Sequence, residues 1–417
     1  MERYSEYKDS GVKWLGEIPS HWEVKRLGSF FFERKEKVSD KDYAPLSVTK
    51  QGIFPQLENV AKTNDGDNRK LVKEGDFVIN SRSDRKGSSG VSGLDGSVSL
   101  INIVLQPRKV LFGPFCNYLL KSYGFIEENY RNGRGIVADL WTTRYDEMKM
   151  IKVAMPSFEE QKNISSYLDA ATSKIDKAIA MQQKMIDLLN ERKQIIIQNA
   201  VTKGLDENVE MKDSGVEWIG MIPKHWKVRR GKFLFRVVNE YSTTGQEELL
   251  TVSDRTGITP RSMKNVNMFM SESLIGYKKC QKGDICSNIM WMWHGAVGVT
   301  EYNGVISPSY GVYRQIAFSY DNKYLDYMLR LPRLVEVYGN CSTGLTESRL
   351  RLYPDDFMNL QFFVPPLEEQ KCIVLQIQKQ IIAIGKSIEN AEKLIALLQE
   401  RKQIIINEVV TGKVKVS

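Results

Sequence analysis

The chain has 417 residues, which is more than one ordinary core accommodates, so we expect two or three domains. Its hydrophobic content of 42% and charged content of 26% are typical of a globular protein. The sequence contains no run of about 18 apolar residues, so it predicts no membrane-spanning helix. The formal net charge of +8 mildly favours a polyanionic partner.

The polar N-terminal sequence MERYSEYKDSG does not resemble a secretory signal, and the five cysteines form no paired framework. Cys280 and Cys286 are separated by a spacing that matches no common zinc site. We therefore expect buried free thiols, no metal site and a cytoplasmic protein.

The first distinctive element is the phrase DSGVKWLGEIPSHWEVKR, which begins at Asp9 and returns as DSGVEWIGMIPKHWKVRR at Asp213. A phrase that recurs almost unchanged in both halves predicts a shared structural task. We expect that it docks each half of the chain on the same frame.

Between the repeated phrases, the sequence predicts mixed, strand-rich bodies. Short β-like runs bounded by glycine and proline occur at DFVINS, GSVSLINIVLQP, MIKVAMP and LQFFVPP. The segments GPFCNYLLKSYG and DNKYLDYMLRL have the apolar spacing of short helices. Glycine-rich loops with polar tips separate these elements, and such loops commonly carry recognition residues.

Each body is followed by a repeated tail that predicts a long helix. PSFEEQKNISSYL is matched by PPLEEQKCIVLQI, and LLNERKQIII is matched by LLQERKQIII. Acidic residues in the first turn favour a helix start, and Gly204 after Thr202 predicts the end of the first helix.

Apolar residues of both tails recur in alternating steps of three and four, as in the seam of a coiled coil. One such helix would leave its apolar stripe in water, so we predict that the two pack antiparallel and fray near Arg192 and Arg401. The predicted seam comprises Ile164, Leu168, Ala171, Ile175, Ala178, Gln182, Met185 and Leu189 in the first helix, and Ile373, Ile377, Gln380, Ile384, Ser387, Ala391, Leu394 and Leu398 in the second.

The predicted fold class is α+β, with two pseudo-repeated mixed α/β domains separated by two long antiparallel helices that form a coiled coil. The domains are expected at 1–155 and 204–364, and the helical segments at 156–203 and 365–417. A fixed frame around divergent bodies suggests two copies of one binding device that are set to different targets.

The repeated DSGVxWxGxIPxHW openings, the EEQK helix starts and the repeated ERKQIII resemble Type I restriction-modification DNA specificity subunits over essentially the whole chain. The resemblance implies two target recognition domains, each of which reads one half of a split DNA sequence. It also implies a non-catalytic subunit that holds two adenine methyltransferase subunits and, in the full complex, translocating nuclease subunits.

Sequence motifs for cofactors are absent in agreement with that resemblance. The chain has no glycine-rich S-adenosylmethionine loop, no Asn/Asp-Pro-Pro-Tyr methyltransferase motif and no G-x-x-x-x-G-K-[ST] phosphate loop. We expect this chain to bind no cofactor, with S-adenosylmethionine, ATP and Mg²⁺ on the partner subunits.

Two alternative functions remain open from the sequence. Asp355, Glu369 and Lys371 formally match the PD…ExK pattern of Mg²⁺-dependent nucleases, but here the E-x-K opens a helix instead of lying on a strand. The second alternative is a protein-binding scaffold whose coiled coil bridges partners without touching DNA.

The histidine and tryptophan pairs of the repeated phrase are candidate DNA contacts as well. His21 and Trp22, like His225 and Trp226, could stack on bases or touch phosphates. Residues that read different targets should differ between the halves, and these are identical. We therefore predict a structural anchor, in which Trp14 and Trp22, and likewise Trp218 and Trp226, pin the chain against the helix frame as it enters each domain.

Candidate DNA contacts belong in the variable bodies, because arginine can pair with guanine and asparagine with adenine in the major groove. Each arginine or lysine could instead be a solvated charge or a phosphate contact, and Trp291 is favoured as a core or wedge residue. The candidates are Asn80, Arg82, Arg85, Lys86, Arg131, Arg134, Thr143 and Arg144 in the first body, and Asn288, Trp291, His294, Ser342, Thr343, Arg349 and Arg351 in the second.

Overall fold

The computed structural model describes residues 2–56, 66–136, 141–264, 273–346 and 349–416. The chain forms two compact units, the first comprising Met1–Lys184 with Ala391–Ser417 and the second comprising Met185–Asn390. Both units are built from short strands, short helices and portions of two long helices, so the α+β class is confirmed. Within the described ranges, no helix is long and apolar enough to cross a lipid bilayer.

The strands of the first unit are short and pair antiparallel. Four of them form the main sheet, in the order β10-β9-β12-β4, and three more form the sheet β11-β8-β5. The described strands are β1 Tyr7–Asp9, β2 Glu17–Pro19, β3 Glu23–Arg26, β4 Phe31–Glu33, β5 Lys37–Val38, β6 Leu46–Val48, β7 Ile53–Pro55, β8 Arg69–Val72, β9 Phe77–Asn80, β10 Ser89–Val91, β11 Gly96–Val98, β12 Asn102–Pro107 and β13 Lys152–Met155.

The central strands β9 and β12 are buried on both faces, which explains their uninterrupted apolar sequences. Side chains alternate across a strand. Ile103 accordingly belongs to the large core that includes Phe115 and Phe125, whereas Val104 and Val78 belong to a smaller core on the other face. The large core is closed by α1 Gly113–Leu120, α2 Tyr123–Arg131 and α3 Tyr145–Met148.

The second unit repeats this topology, although its sequence between the repeated segments is almost unrelated to that of the first. Its main sheet has the order β17-β24-β21-β22, which matches β4-β12-β9-β10 of the first unit. The described elements are β14 Met211–Asp213, β15 Met221–Pro223, β16 Lys227–Arg230, β17 Phe235–Val237, β18 Leu250–Ser253, β19 Gly257–Pro260, β20 Lys278–Cys280, β21 Ile285–Ser287, β22 Val297–Val299, β23 Gly304–Ile306, β24 Gly311–Gln315, β25 Gln361–Val364, α5 Asn322–Leu329, α6 Pro332–Cys341 and α7 Pro354–Asn359.

Two long helices, α4 Phe158–Lys203 and α8 Leu367–Val410, contribute to both units. In the first unit the beginning of α4 packs with the end of α8, and the Lys402 ammonium lies 2.7 Å from the Asp176 carboxylate. In the second unit the end of α4 shares a core with the beginning of α8, through Val201 and Ile373. The predicted antiparallel pairing is thus confirmed within each unit.

The predicted seam is partly wrong. Met185 is 47% exposed, and its neighbour Ile186 is buried instead. Ser387 and Leu394 are exposed as well. A long helix with 3.6 residues per turn drifts away from a strict heptad pattern, so a seam extrapolated from one end slips along the helix.

The predicted C-terminal end of α4 is correct, but the predicted behaviour of the last turns of α8 is not. Gly204 follows α4 directly and has a φ of +76°, in the left-handed region that glycine adopts at helix C-termini, which confirms the predicted stop. The expected fraying near Arg401 is wrong. That side chain is exposed, but Ile405 and Val409 beyond it are buried in the first unit.

The cysteines match the expectation of buried free thiols at three of five positions, because Cys341 is half-buried and Cys372 is exposed. All five are free thiols, and Cys116, Cys280 and Cys286 are buried. Burial raises the pKa of the Cys116 thiol to about 12, so this thiol stays protonated. Cys372 is exposed near the start of α8, because it lies on the side of the helix that also exposes Glu368 and Gln376.

Candidate nucleic-acid interface

The repeated opening phrase anchors the first unit to the start of α4. Trp22 is fully buried, and its indole N–H donates to Glu160 Oε1 at 3.0 Å. His21 Nε2 lies 3.1 Å from Glu160 Oε2, and the Tyr4 hydroxyl donates to Oε1 at 2.6 Å. Burial and the neighbouring carboxylate raise the pKa of Tyr4, so its hydroxyl remains a donor. One glutamate therefore holds three aromatic side chains.

The second unit has the same anchor on α8. The Trp226 indole N–H donates to Glu369 Oε2 at 3.1 Å, and His225 Nε2 lies 2.8 Å from the same oxygen. The Trp226 ring is fully buried and stacks on Phe363, with ring centroids 5.5 Å apart. The prediction of structural anchors is confirmed for Trp22 and Trp226, which are fully buried, whereas His21 and His225 contact the same glutamates and stay about half exposed.

A buried glutamine next to each anchoring glutamate ties the helix start to the body, a role that the sequence did not reveal. Gln161 accepts from the Phe112 N–H at 2.9 Å and donates to the Pro156 carbonyl at 3.1 Å. Gln370 accepts from the Asp321 N–H at 2.8 Å and donates to the Pro365 carbonyl at 2.9 Å. The available signal was the EEQK sequence that begins both helices.

These contacts account for the nuclease-like E-x-K pattern. Glu369 holds Trp226 and His225, and the Lys371 ammonium pairs with Glu368 at 2.7 Å on the first turns of α8. Among the described residues, no group of three histidine, cysteine, aspartate or glutamate side chains is arranged to hold a metal ion. The pattern is explained as the start of a helix.

In the first unit, the structure joins the two candidate segments into one surface, which we call the arginine surface (80–86 with 131–136 and 141–144). The Ser83 N–H donates to the Trp141 carbonyl at 3.0 Å, and the Thr143 N–H donates to the Ser81 carbonyl at 3.0 Å. Candidates separated by about fifty residues in sequence are therefore neighbours.

Most cations of the arginine surface make ion pairs that are partly exposed to solvent. Such pairs contribute little to stability, so they can exchange their partner for a phosphate. Arg82 and Arg144 are exposed and make no ion pair within the described parts of the chain. The pairs are Lys86 with Glu127 at 2.7 Å, Arg131 with Glu128 at 2.6 Å, Arg134 with Glu147 at 3.3 Å, and Arg85 with Asp84 at 3.6 Å.

Two uncharged candidates of the first unit are engaged in building the loop. The Asn80 carboxamide oxygen accepts from the Arg82 N–H at 3.0 Å, as in an Asx turn. Thr143 is buried, and its hydroxyl donates to the Asn129 carbonyl at 2.8 Å. Both side chains hold the loop that presents the arginines.

The second unit has a matching loop with different chemistry, which we call the tryptophan surface (288–295 with 342–343 and 349–351). Asn288 is buried, and its carboxamide accepts from the Met290 N–H at 3.1 Å and donates to the Tyr310 hydroxyl at 2.9 Å. Trp291 is 54% exposed and stacks on Trp293. His294 Nδ1 lies 3.2 Å from Asp254 Oδ2.

The remaining candidates of the second unit lie beside that loop. Thr343 and Arg351 exchange two backbone hydrogen bonds of 2.9 Å, and the Leu352 N–H donates to the Ile289 carbonyl at 3.0 Å. The Ser342 hydroxyl is turned back to the Tyr338 carbonyl at 2.6 Å, whereas Arg349 is exposed. Thr343 is exposed at the same edge.

Buried aspartates immediately before β9 and β21 hold the turns that lead into these strands, a role that the sequence did not reveal. Asp76 accepts from the Lys73 N–H at 2.9 Å and from the Arg34 guanidinium at 2.7 Å. Asp284 accepts from the Gln281 N–H at 2.9 Å and from the Arg314 guanidinium at 2.7 Å. The signal was the Gly-Asp pair shared by EGDFVINSR and KGDICSNIM.

Comparison with known proteins gives relatives over the whole chain, although no protein-family model matches it. The Type I restriction enzyme MjaVIII specificity subunit of Methanocaldococcus jannaschii is 24% identical over 439 residues, covering 98% of this chain and 97% of the relative. The putative type I restriction enzyme MjaX specificity subunit of the same organism is 23% identical over 461 residues, covering 98% of both chains.

Solved structures share the fold. A chain from a type I R-M system, studied for its complex assembly and conformational transition, superposes with a TM-score of 0.67 at 16% identity, covering 95% of this chain and 99% of that chain. The HsdS subunit from Thermoanaerobacter tengcongensis superposes with a TM-score of 0.54 at 16% identity, covering 97% of this chain and 100% of that chain.

Proposed function

We propose that this chain, which resembles type I restriction enzyme specificity subunits over its full length in sequence and fold, is the DNA specificity subunit of such a complex. It reads a split DNA target with its two variable bodies and carries no catalytic site of its own. It acts in the cytoplasm, where its DNA target is found.

One observation carries this proposal: the frame is the same in both units, but the loops that it presents differ. Trp22 with Glu160 and Trp226 with Glu369 are equivalent, and so are Gln161 and Gln370 in their contacts. On this common frame the first unit exposes arginines and the second exposes tryptophan. Two surfaces that lie on equivalent frames but differ in chemistry fit a DNA target whose two halves have different sequences.

The repeated helix sequence supports two copies of one partner. LLNERKQIII and LLQERKQIII expose equivalent leucines and isoleucines, namely Leu188 and Ile195 in the second unit and Leu397 and Ile404 in the first. Exposed apolar residues in a repeated surface mark a site of protein association. We assign the two sites to two methyltransferase subunits. Nuclease subunits join in the full complex, and S-adenosylmethionine, ATP and Mg²⁺ are bound by those partners.

Footprinting of the chain assembled with its methyltransferase tests the proposal. The expected result is two short protected segments separated by a gap in which the bases do not affect binding. A single continuous recognised sequence would contradict the split target. Absence of any specific protection would favour the protein-only scaffold instead.

We expect Arg82→Ala and Arg144→Ala to weaken the salt dependence of DNA binding by the assembled complex. If each guanidinium contacts a phosphate, each substitution makes the negative slope of log K against log salt concentration less steep by about 0.9. A base contact would instead relax specificity at one position of the target. Binding is measured by titration at several salt concentrations.

Lys174→Ala is the matched control for this prediction, because it removes an exposed cation of the same unit from α4. It should leave the slope unchanged. An equal loss of slope in this control would show a general effect of net charge, and unchanged binding in both arginine variants would remove them from the interface.

A further inference from the structure

We infer that the second unit recognises its half of the DNA target by stacking, with the exposed indole of Trp291 pressed against a base at an opened or kinked base-pair step. This inference rests on the proposed function and specifies the recognition chemistry of one of its two surfaces. Trp291 is then a specificity-determining residue that reads the deformability of DNA.

The two loops correspond position by position, so their chemical difference is a substitution on one backbone. The Asn80 N–H donates to the Ser88 carbonyl at 2.9 Å, and the Asn288 N–H donates to the Ala296 carbonyl at 2.9 Å. Each loop contains an asparagine turn, a short 3-10 turn and a glycine with positive φ. In this alignment Trp293 replaces Arg85, and His294 replaces Lys86.

The aromatic ledge formed by Trp291, Trp293 and His294 is held in place by ring stacking and by hydrogen bonds within its own loop. The rings of Trp291 and Trp293 stack with an interplanar angle of 17° and a centroid distance of 5.9 Å. The Trp293 indole N–H donates to the Met290 carbonyl at 3.0 Å. The Trp291 carbonyl accepts from the His294 N–H at 3.0 Å and the Ala296 N–H at 3.1 Å. A large apolar ring is thereby fixed at the surface instead of collapsing into the core.

The shape of this ledge selects its ligand. Trp291 is half exposed although one of its faces is covered by Trp293. An indole face is complementary to the face of a base, but paired bases show only their edges in the grooves of DNA. Stacking therefore requires a step that opens or kinks, and pyrimidine–purine steps do so most readily.

The first unit has no aromatic ring at the equivalent position of its loop. Its position equivalent to Trp291 is Ser83, and the nearby Trp141 indole N–H donates to the Tyr130 carbonyl at 2.8 Å. The cations there favour phosphate and base-edge contacts. The two half-sites should accordingly differ in how binding responds to salt and to DNA flexibility.

The test compares Trp291→Ala and Trp291→Phe in the assembled methyltransferase complex, on a DNA duplex that carries the complete target. The alanine variant should bind about tenfold more weakly, and the phenylalanine variant should retain most of the affinity. The salt slope should stay unchanged in both, unlike that of Arg82→Ala. Because the side chain is exposed, the thermal unfolding midpoint should stay that of the wild type.

Permanganate oxidation supplies a structural readout, because it attacks unstacked thymines. The flexible TA and CA/TG steps each contain a thymine on at least one strand. The wild-type complex should show a reactive thymine in the half-site of the second unit that Trp291→Ala abolishes. A second thymine that reacts in both the wild type and the variant is explained by base extrusion by the methyltransferase and is not the signal of Trp291. If the variant binds and protects the split target like the wild type with the same permanganate pattern, the inference is wrong while the proposed function stands. If the wild-type complex protects no split target, the proposed function itself fails.

Discussion

Replacing residues 27–151 with the corresponding segment of another specificity subunit will change one half of the methylated sequence and leave the other half intact. The segment contains the main sheet and the arginine surface of the first unit, whereas Trp22, Glu160 and Gln161 remain in the host. The junction is favourable because the segment ends meet: the Leu27 N–H donates to the Ile151 carbonyl at 2.8 Å. The adjacent strands β3 and β13 stay paired in the host chain.

The matched experiment exchanges residues 231–360 in the second unit. Its ends meet in the same way, since the Gly231 N–H donates to the Leu360 carbonyl at 2.7 Å, and β16 stays paired with β25. This exchange should alter the other half of the sequence. A single exchange that changed both halves, or a folded exchange that changed neither, would contradict the assignment of one half-site to each body.

Trp226→Ala should unfold much of the second unit while the first unit remains folded. Truncating a fully buried tryptophan costs about 3–5 kcal/mol, which is a large fraction of the stability of one domain. The substitution also leaves Glu369 without its indole donor. Hydrogen exchange of backbone amides measures the effect locally, with β25 and α5 reporting on the second unit and β9 on the first.

Two variants test the reason for that loss. Trp22→Ala should reverse the pattern and expose the amides of the first unit. Trp218→Ala removes a half-buried tryptophan of the same repeated phrase and should have a smaller effect. Protection that is unchanged in Trp226→Ala would show that the anchor contributes little to the fold.

Elements governed by local periodicity could be predicted from the sequence. The paired long helices follow from apolar spacing, and the stop at Gly204 follows from the conformational freedom of glycine. The structural role of Trp22 and Trp226 followed from their repetition in both halves. The exposure of Met185, which was predicted to lie in the seam, could not be foreseen, because small deviations from a heptad accumulate along a helix.

The candidate interface was harder to predict because it depends on contacts between distant segments. Nothing local indicates that Ser83 will bond to Trp141, or that Thr143 will be buried behind the loop. Asparagine is ambiguous for a further reason: the carboxamide that can pair with adenine can equally close a turn, as it does at Asn80 and Asn288. Repetition was again informative, since both asparagines occupy the same place in matching loops.

The most direct test of the proposed function is to map N6-methyladenine in DNA from a host that carries this chain together with its methyltransferase. We predict methylation at one split sequence, with two short specific elements separated by a gap of fixed length, and with its loss when this chain is deleted. Methylation that persists without the chain, or that follows one uninterrupted sequence, would contradict the assignment of DNA specificity to these two units.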